Sequence, residues 1–233
     1  MERTKKARGG LHGSRIEDYC MIGDCETAAL VSRAGSIDWL CWPTFSSGAC
    51  FAALLGTRDN GYWKIAPVAK VKDVRRRYSE GTLIVETTFA TARGEVRLID
   101  FMPPRGEHSH VVRIVKGVRG RVAMRMDLAI RFDYGRTTPW VTSTDHELRA
   151  VAGPNMVVLR TKAPMRGEGM TTVSEFTVRA GETVTFVMTS ASSLEKKVPR
   201  VSAAGALVET RRFWKRWAGH NRYKGPYADA VMR

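Results

Sequence analysis

The stretch "MRMDLAIRFD", residues 124–133, decides the fold. Apolar residues, beginning with Met124 and Met126, alternate with charged ones, beginning with Arg125 and Asp127, through most of the stretch. Side chains two residues apart lie on the same face of a β-strand, so this pattern is typical of a strand with one face in a core and one in water. Antiparallel sheets commonly have one solvated face, and the stretch therefore predicts an antiparallel sheet.

The same alternation recurs along most of the chain. The stretches "TAALVSRAGSIDWLCW" (27–42) and "LIVETTFATARGEVRLIDF" (83–101) are typical of hairpins, because each has a glycine-containing turn between two alternating runs. Further strands are predicted in "MVVLRT" (156–161), "TTVSEFTV" (171–178) and "ETVTFVMT" (182–189). Ten or more strands with short connections, in a chain of 233 residues, predict a mainly β fold of two packed antiparallel sheets.

A long helix is predicted near the C-terminus. Apolar residues recur every three or four positions over residues 201–218 and end in Phe213, Trp214 and Trp217. This spacing gives a helix an apolar stripe, and Gly219 is well placed to end it. The chain is therefore expected to finish its β region with a helix that carries aromatic residues at its end.

These patterns divide the chain into four parts. Residues 1–13 are expected to form a basic, disordered tail, residues 14–198 the β-sandwich domain, and residues 199–224 a linker built around the helix. A second helix is predicted to start within residues 225–233, because the pair Gly225-Pro226 places proline at a first helical position, where it is favoured. We interpret this last part as the first turns of a second, truncated domain.

The formal net charge of +15 is concentrated in three short segments, residues 1–15, 70–77 and 211–224. No nucleic-acid recognition motif accompanies these segments, so we interpret them as solvated faces and expect no nucleic-acid partner. The longest apolar runs are far too short to span a bilayer, and no membrane partner is expected. The N-terminus lacks the apolar stretch of a secretory signal, which favours a cytoplasmic location.

The sequence predicts no metal site, cofactor or catalytic motif. None of the four cysteines is spaced as Cys-x-x-Cys, and phosphate-binding loops, G-x-S-x-G motifs and metalloprotease motifs are absent from the sequence. His108 and His110 have a spacing that suits chelation, but we interpret them as part of a solvated loop that enters a strand. Acidic residues are frequent, yet their spacing identifies no acid–base pair.

One predicted loop is rich in aromatic residues. The stretch "SIDWLCWPTFSSGACF" (36–51) places Trp39, Trp42 and Phe45 close together, with a proline that forces a loop after the strand. Aromatic faces on a loop suit sugar binding, because pyranose rings stack on them; the alternative is that these rings close the end of a sandwich. Alternation along the strand predicts that Trp39 lies in the core on the same face as Ile37, and that Trp42 and Phe45 face outward.

Six segments in order carry a family resemblance. They are "IEDYCMIGDCETAALVSRAGSIDWLCWPTFSSGACFAALLG" (16–56), "RRRYSEGTLIVETTF" (75–89), "LIDFMPPRG" (98–106), "RFDYGRTTPW" (131–140), "MRGEGMTTVSEFTV" (165–178) and "FWKRWAGHNRYKGPYADAV" (213–231). Together they resemble the N-terminal part of bacterial glucoamylase/trehalase-like proteins of glycoside hydrolase family fifteen. The chain departs from that family in one loop, where relatives commonly read "PRFDS" and Thr44 and Ser46 replace the arginine and the aspartate.

The resemblance implies a super-β-sandwich joined by the linker helix to an (α/α)₆ barrel, of which residues 225–233 would be the start. In the family the barrel hydrolyses α-glucosidic bonds with inversion, using two glutamates that correspond to positions beyond residue 233. The chain alone is therefore expected to be a non-catalytic domain, inactive by itself, with no catalytic residue. Two alternatives stay open: a stand-alone carbohydrate-binding or protein-interaction module, and a subunit completed by a separately encoded barrel.

The resemblance also implies partners and contact residues. The expected partners are the catalytic barrel, in cis or in trans, an α-glucoside that the isolated chain binds weakly or not at all, and a second copy through the C-terminal helix. The stretch "RFDYGRTTPW" (131–140) is expected to supply a second sugar-contacting loop beside the aromatic one; the alternative is that it forms a salt-bridged turn. The residues expected to contact the glucoside are Trp42, Phe45, Asp133, Tyr134, Arg136 and Trp140.

Overall fold

The computed structural model describes residues 15–228, which form fifteen β-strands and one α-helix of sixteen residues. The predicted tail and residues 229–233 of the predicted barrel segment lie outside this part. The strands are β1 (Tyr19–Gly23), β2 (Ala28–Ser32), β3 (Ser36–Cys41), β4 (Ala49–Phe51), β5 (Tyr62–Pro67), β6 (Val71–Tyr78), β7 (Val85–Thr91), β8 (Gly94–Phe101), β9 (His110–Ala129), β10 (Trp140–Ser143), β11 (Glu147–Ala152), β12 (Asn155–Thr161), β13 (Arg166–Glu168), β14 (Thr171–Arg179) and β15 (Thr183–Ser192). The helix, α1, spans Ala203–Ala218.

The strands form two antiparallel sheets that share the 20-residue strand β9. The first sheet has the order β1–β2–β3–β5–β9–β14–β13, with β4 beside β3, and the second has the order β6–β7–β8–β9–β15–β12–β11–β10. The first half of β9 pairs with β8 and β15, and its second half pairs with β5 and β14. The predicted antiparallel β-sandwich is confirmed.

The main core lies between the two sheets. Met124, Met126 and Leu128 of β9 are at most 2% exposed, and they belong to one apolar cluster with Trp63 of the first sheet and Leu98 of the second. Burying a side chain of this size stabilises a fold by about 1.5–3 kcal/mol. The alternation seen in "MRMDLAIRFD" thus marks the core face as predicted.

A charged pair lies inside this core. The side chains of Arg113 (β9) and Asp100 (β8) are fully buried, and Nε of Arg113 donates to Oδ1 of Asp100 at 2.8 Å. The Nη groups of Arg113 donate to two backbone carbonyls on the side of the first sheet, that of Trp63 in β5 at 2.5 Å and that of Gly35 in the β2–β3 turn at 2.7 Å. Because Arg113 pairs with a residue of one sheet and with the backbone of the other, it links the two sheets.

Helix α1 covers the outer face of the second sheet. The hydroxyl of Ser202 accepts a hydrogen bond from the backbone N–H of Gly205 at 3.3 Å, and this N-cap starts the helix two residues later than predicted. Ala203 and Ala206 pack against an apolar cluster formed by β8, β9 and β15. The residues after Gly219 leave the helix, as its sequence predicts.

The sheet covers the aromatic end of α1 only in part. Trp214 is buried and makes edge-to-face contacts with Phe213 and Trp217, at 5.1 and 5.9 Å between ring centroids. Trp217 and Val208 are each 54% exposed. The C-terminal end of the helix therefore presents an aromatic patch, which we call the α1 outer face, formed by Phe213 and Trp217; Val208 lies about half a turn away, on the opposite side of the helix.

The basic segment 70–77 covers most of the edge strand β6, and its arginines have partners. Arg75 and Arg77 form ion pairs with glutamates of β8 and β7, at 2.8 and 3.0 Å. Arg76 donates to two backbone carbonyls of the first sheet's N-terminal region. Through these contacts the arginines connect β6 to neighbouring strands.

Candidate functional site

Three loops meet at one end of the sandwich, and we call them the loop cluster. They are the β1–β2 loop (24–27), the β3–β4 loop (42–48) and the β8–β9 loop (102–109). At their centre lies the carboxylate of Asp24, which is fully buried. A buried charge needs several hydrogen bonds to be tolerated, and Asp24 receives them from the loops around it.

Each oxygen of Asp24 has two donors. Oδ1 accepts from the backbone N–H groups of Glu26 and Thr27, at 3.0 and 2.8 Å. Oδ2 accepts from Oγ of Ser109 at 2.5 Å and from Nε of Arg105 at 2.9 Å. Because all four donors belong to the loop cluster, this carboxylate holds the loops together.

Trp42 is buried inside the loop cluster, with 5% of its surface exposed. Its Nε1 donates to Oγ of Ser109 at 2.7 Å, and the carbonyl of the following Pro43 accepts from the Arg105 guanidinium. The predicted outward orientation of Trp42 is therefore wrong. The reason is that the β3–β4 loop folds back onto the β8–β9 loop, a contact between residues more than sixty positions apart in sequence.

A β-bulge changes the faces of β3. The pairing with β2 shifts between Ile37 and Trp39, which leaves Asp38 as an extra residue. Ile37 and Leu40 consequently both lie in the main core, while Trp39 lies half-buried in a separate small cluster. The predicted common face of Ile37 and Trp39 is wrong for this reason.

Phe45 projects from the tip of the β3–β4 loop and is 64% exposed, as predicted. Its backbone N–H donates to the carbonyl of Glu26 at 3.0 Å, so the exposed ring stands on a fixed backbone. The hydroxyls of Thr44 and Ser47 lie 2.9 Å apart and are hydrogen-bonded. The tip therefore offers one aromatic face beside several hydroxyl groups.

The loop that follows β9 lies beside the loop cluster. A Cβ placed on Gly48 would lie 3.6 Å from Cα of Asp133, and the ring centroids of Trp39 and Tyr134 are 6.0 Å apart. Asp133 and Tyr134 both have positive φ angles, 50° and 60°, a strained conformation for these residues that clusters at functional positions. Nδ2 of Asn60 donates to the carbonyl of Tyr134 at 3.0 Å, which helps to hold this turn.

We use the name loop face for the exposed residues of these two neighbouring loops: Phe45, Asp133, Tyr134 and Arg136. Nη1 of Arg136 lies 3.8 Å from Oδ2 of Asp133, and both side chains are more than half exposed. This is the contact expected of a salt-bridged turn, and an exposed pair of this kind contributes little to stability. The two charged groups are available to a ligand or a partner.

Trp140, the sixth residue expected at the site, lies on a different element. It begins the edge strand β10 of the second sheet, pairs opposite Val151 and is 78% exposed. The structure thus places Phe45, Asp133, Tyr134 and Arg136 on neighbouring loops, keeps Trp42 beneath them, and puts Trp140 on a sheet edge.

Two histidines, His108 in the β8–β9 loop and His110 at the start of β9, are less exposed than their sequence predicts. His108 is buried, with Nε2 2.7 Å from Oε2 of Glu195, and His110 is half-buried with Nδ1 3.0 Å from Oγ1 of Thr189. The interpretation of His108 and His110 as a solvated loop is wrong, because His108 contacts Glu195 of the segment after β15 and His110 pairs with Thr189 within β15. The contact partners lie about eighty residues away, so no local pattern indicates this burial.

The burial of His110 predicts a pH-dependent stability. Burial, with the neighbouring His108 charge, lowers the pKa of His110 to about 4, against about 6.5 in an unfolded chain. Between these values the unfolded state binds more protons, so stability is full above pH 6.5 and falls by about 3 kcal/mol as the pH drops to 4. Urea unfolding at a series of pH values measures this slope.

The control for this prediction is a pair of histidine variants. His110→Gln keeps a hydrogen-bonding side chain and removes the titration, so we expect a flatter profile between pH 6.5 and 4. His146→Gln removes an exposed histidine and should leave the profile unchanged. An unaltered slope in His110→Gln would contradict the assignment. Carboxylates also contribute to the loss of stability below pH 4.5. One of them is Glu195, whose pKa is lowered by a hydrogen bond from the backbone N–H of Ser192.

A reactive thiol, a metal site and a membrane-spanning helix each have structural requirements with which the described residues can be compared. All four cysteines are free, and burial raises the pKa of the thiols of Cys41 and Cys50, which makes them unreactive. Within residues 15–228, no group of three or more histidine, cysteine, aspartate or glutamate side chains is arranged to hold a metal ion. In the same residues, no helix combines the length and the apolar character needed to cross a membrane.

Two antiparallel sheets packed around one core define the chain as a two-sheet β-sandwich domain. Its sequence matches the family described as "Trehalase-like, N-terminal" over residues 2–196, which is more than half of the chain. The protein belongs to this family. The family resemblance expected from the six sequence segments is thereby confirmed.

Individual relatives agree with this assignment. A trehalase of Thermoplasma volcanium is 27% identical over 227 residues, covering 94% of this chain and 36% of the relative. A trehalase of Mycolicibacterium smegmatis is 29% identical over 229 residues, covering 87% and 34%. "Trehalase 1" of Sulfolobus acidocaldarius is 34% identical over 125 residues, covering 53% and 21%. The chain spans about a third of the length of the first two relatives.

Proposed function

We propose that this chain is the non-catalytic β-sandwich domain of a trehalase-type α-glucoside hydrolase and works beside a catalytic (α/α)₆ barrel, in cis or in trans. The observation that carries the proposal is the extent of the similarity: nearly the whole chain matches trehalases, but it accounts for about a third of their length. In this proposal the catalytic carboxylates belong to the two thirds of the trehalase length that this chain does not match. The domain then contributes surfaces that position the barrel.

The α1 outer face is the surface proposed to contact the barrel. It is apolar and aromatic, and its exposed Trp217 and half-buried Phe213 are residue types that are enriched at protein interfaces. Trp214, in contrast, is buried against the sandwich and serves to fix the helix on its own domain. A barrel packed on this helix would be held at a defined angle to the sandwich.

The loop face is proposed to form one wall of the substrate cleft. Phe45 and Tyr134 offer rings for stacking on a sugar, while Asp133 and Arg136 offer groups for its hydroxyls. Trp42 contributes by supporting the β3–β4 loop from beneath rather than by touching the sugar. A one-sided surface buries little of a sugar, so the isolated chain is expected to bind glucosides weakly at most.

The test is an activity assay with and without a barrel. The purified chain should release no glucose from trehalose or maltose above background, because hydrolysis needs positioned acid and base groups. Added to the barrel segment of the Mycolicibacterium smegmatis trehalase, it should form a complex on size-exclusion chromatography. Turnover by the chain alone that disappears when one of its carboxylates is mutated would refute the proposal.

A second arm of the same experiment examines the α1 outer face. The isolated chain is expected to self-associate at high concentration, because an exposed apolar patch drives association. Trp217→Ser should weaken both self-association and complex formation while leaving the fold intact. Trp214→Ala is the wrong probe, since that ring is buried. A chain that stays monomeric, and a complex that Trp217→Ser leaves unaffected, would exclude this surface.

A further inference from the structure

A cavity of about 840 Å³ opens between the two sheets at an end of the sandwich that the loop cluster does not occupy. The β10–β11 hairpin borders it on one side, and the β12–β13 and β13–β14 connections border it on the other. None of the loop-cluster residues lines it. Its volume lies within the range of roughly 300–1,000 Å³ that is usual for small-molecule sites.

The floor of this cavity is apolar, and hydroxyl-bearing residues, among them Thr138, Ser143 and Thr172, contribute to its walls. Leu128, Ile130 and Leu148, each at most 5% exposed, belong both to the main core and to the cavity lining. Met165 and Met170 extend the apolar wall toward the opening, and methionine side chains adapt readily to the shape of a ligand. No Phe, Tyr or Trp is among the described residues that line it, which disfavours a sugar, because sugars stack on aromatic faces.

The charged residues at the cavity have an excess of positive charge. Arg131, Lys162 and Arg166 line it against one carboxylate, that of Asp145. Arg166 is neutralised by glutamates outside the lining, at 3.4 and 3.3 Å.

Among the residues that the structure describes, the other two cations have no carboxylate partner. The guanidinium of Arg131 donates there to two backbone carbonyls, those of Ile130 at 2.7 Å and Met170 at 3.0 Å. The ammonium group of Lys162, an exposed residue, forms no ion pair with any residue in the described range 15–228. An anionic group at the opening would therefore gain charge-assisted hydrogen bonds that the protein itself does not use.

We infer that this cavity binds a small amphipathic anion, with an apolar body against Leu128, Ile130 and Leu148 and a carboxylate or phosphate head near Lys162 and Arg131. The apolar floor stabilises the body by burial. The uncompensated cations select the charge of the head. This site would act independently of the proposed partnership with a barrel, since it uses neither the α1 outer face nor the loop face.

The experiment is a titration of the full chain with decanoate, decyl phosphate and decanol in low-salt buffer. Calorimetry and the methyl NMR signals of Leu128, Ile130 and Leu148 report binding. Saturable binding of decanoate or decyl phosphate, at least about tenfold tighter than that of decanol, is expected. The two anions distinguish a carboxylate from a phosphate head. Absence of saturable binding of either anion, or equal binding of decanol, would overturn the inference.

Matched glycine variants localise the site. A side chain added at Gly167, which lines the cavity, meets no heavy atom within 4 Å, so Gly167→Phe should fold and fill the space. Gly106→Phe is the control, because Gly106 has equally open surroundings and lies in the loop cluster. Gly167→Phe should abolish binding and Gly106→Phe should not. Equal binding by both variants would place the ligand elsewhere.

A charge variant tests the head group. Lys162→Gln should weaken decanoate binding about tenfold while leaving the weak binding of decanol unchanged. Rising salt should weaken the wild-type interaction in the same way. If Lys162→Gln binds decanoate as tightly as the wild type, the proposed contact between the anionic head and this lysine is wrong.

Discussion

Replacing Arg113 by methionine should lower the free energy of unfolding by about 3–5 kcal/mol, because it leaves a buried carboxylate without its partner. Asp100 is fully buried, and the carbonyls of Trp63 and Gly35 also lose the donors that Arg113 supplies. Since domains of this kind are stable by only about 5–15 kcal/mol, the variant should unfold at a much lower urea concentration. Urea unfolding followed by circular dichroism measures the change.

Two further variants make the interpretation specific. Adding Asp100→Leu to Arg113→Met should recover part of the loss, because the uncompensated charge is then removed while the two carbonyls stay unpaired. Arg75→Ala removes a surface ion pair whose arginine is 64% exposed, and it should cost less than about 1 kcal/mol. A loss in Arg113→Met no larger than that in Arg75→Ala would show that the link between the sheets is unimportant.

Trp42→Ala is the second substitution with a large expected effect. The indole is buried, so its removal should cost about 3–5 kcal/mol through lost burial and the resulting cavity. It also removes the donor that holds the hydroxyl of Ser109, which in turn donates to Asp24. The β3–β4 loop should loosen before the whole domain unfolds, and faster amide exchange at residues 42–48 would report that loosening.

Two further substitutions, Trp39→Ala and Trp42→Phe, serve as controls for this result. Trp39→Ala should cost clearly less, because Trp39 is half-buried and lies outside the main core. Trp42→Phe keeps an aromatic ring and loses the Nε1 donor, so it separates the hydrogen bond to Ser109 from the burial. If Trp39→Ala proves more damaging than Trp42→Ala, the placement of the two rings is reversed.

Alternation of apolar and polar residues was sufficient to predict the sheets. In β9, the residues that alternate in sequence are those buried in the core, because an undistorted strand has a period of two. The same rule failed in β3, where a single extra residue at Asp38 shifts the faces. A bulge of this kind depends on the partner strand, and the sequence of β3 alone does not indicate it.

The candidate site was predicted only in part. The exposed Phe45 and the neighbouring Asp133–Gly135 turn follow from local features, namely a proline-containing loop and a glycine-containing turn. The burial of Trp42 and of His108 depends on contacts with Ser109 and Glu195, which are distant in sequence. Local patterns carry no information on which distant loops meet, so these two assignments required the structure.

The shared strand β9 has a consequence for the order in which a ribosome-bound chain can fold. Two of its partners, β5 and β8, are synthesised before it, but β14 and β15 emerge afterwards, at residues 171–192. Each sheet therefore waits for a late strand to cover an edge of β9. Such distant pairings are slow to form. The nascent chain must keep this 20-residue strand, with its apolar core face, from pairing with other chains during this interval.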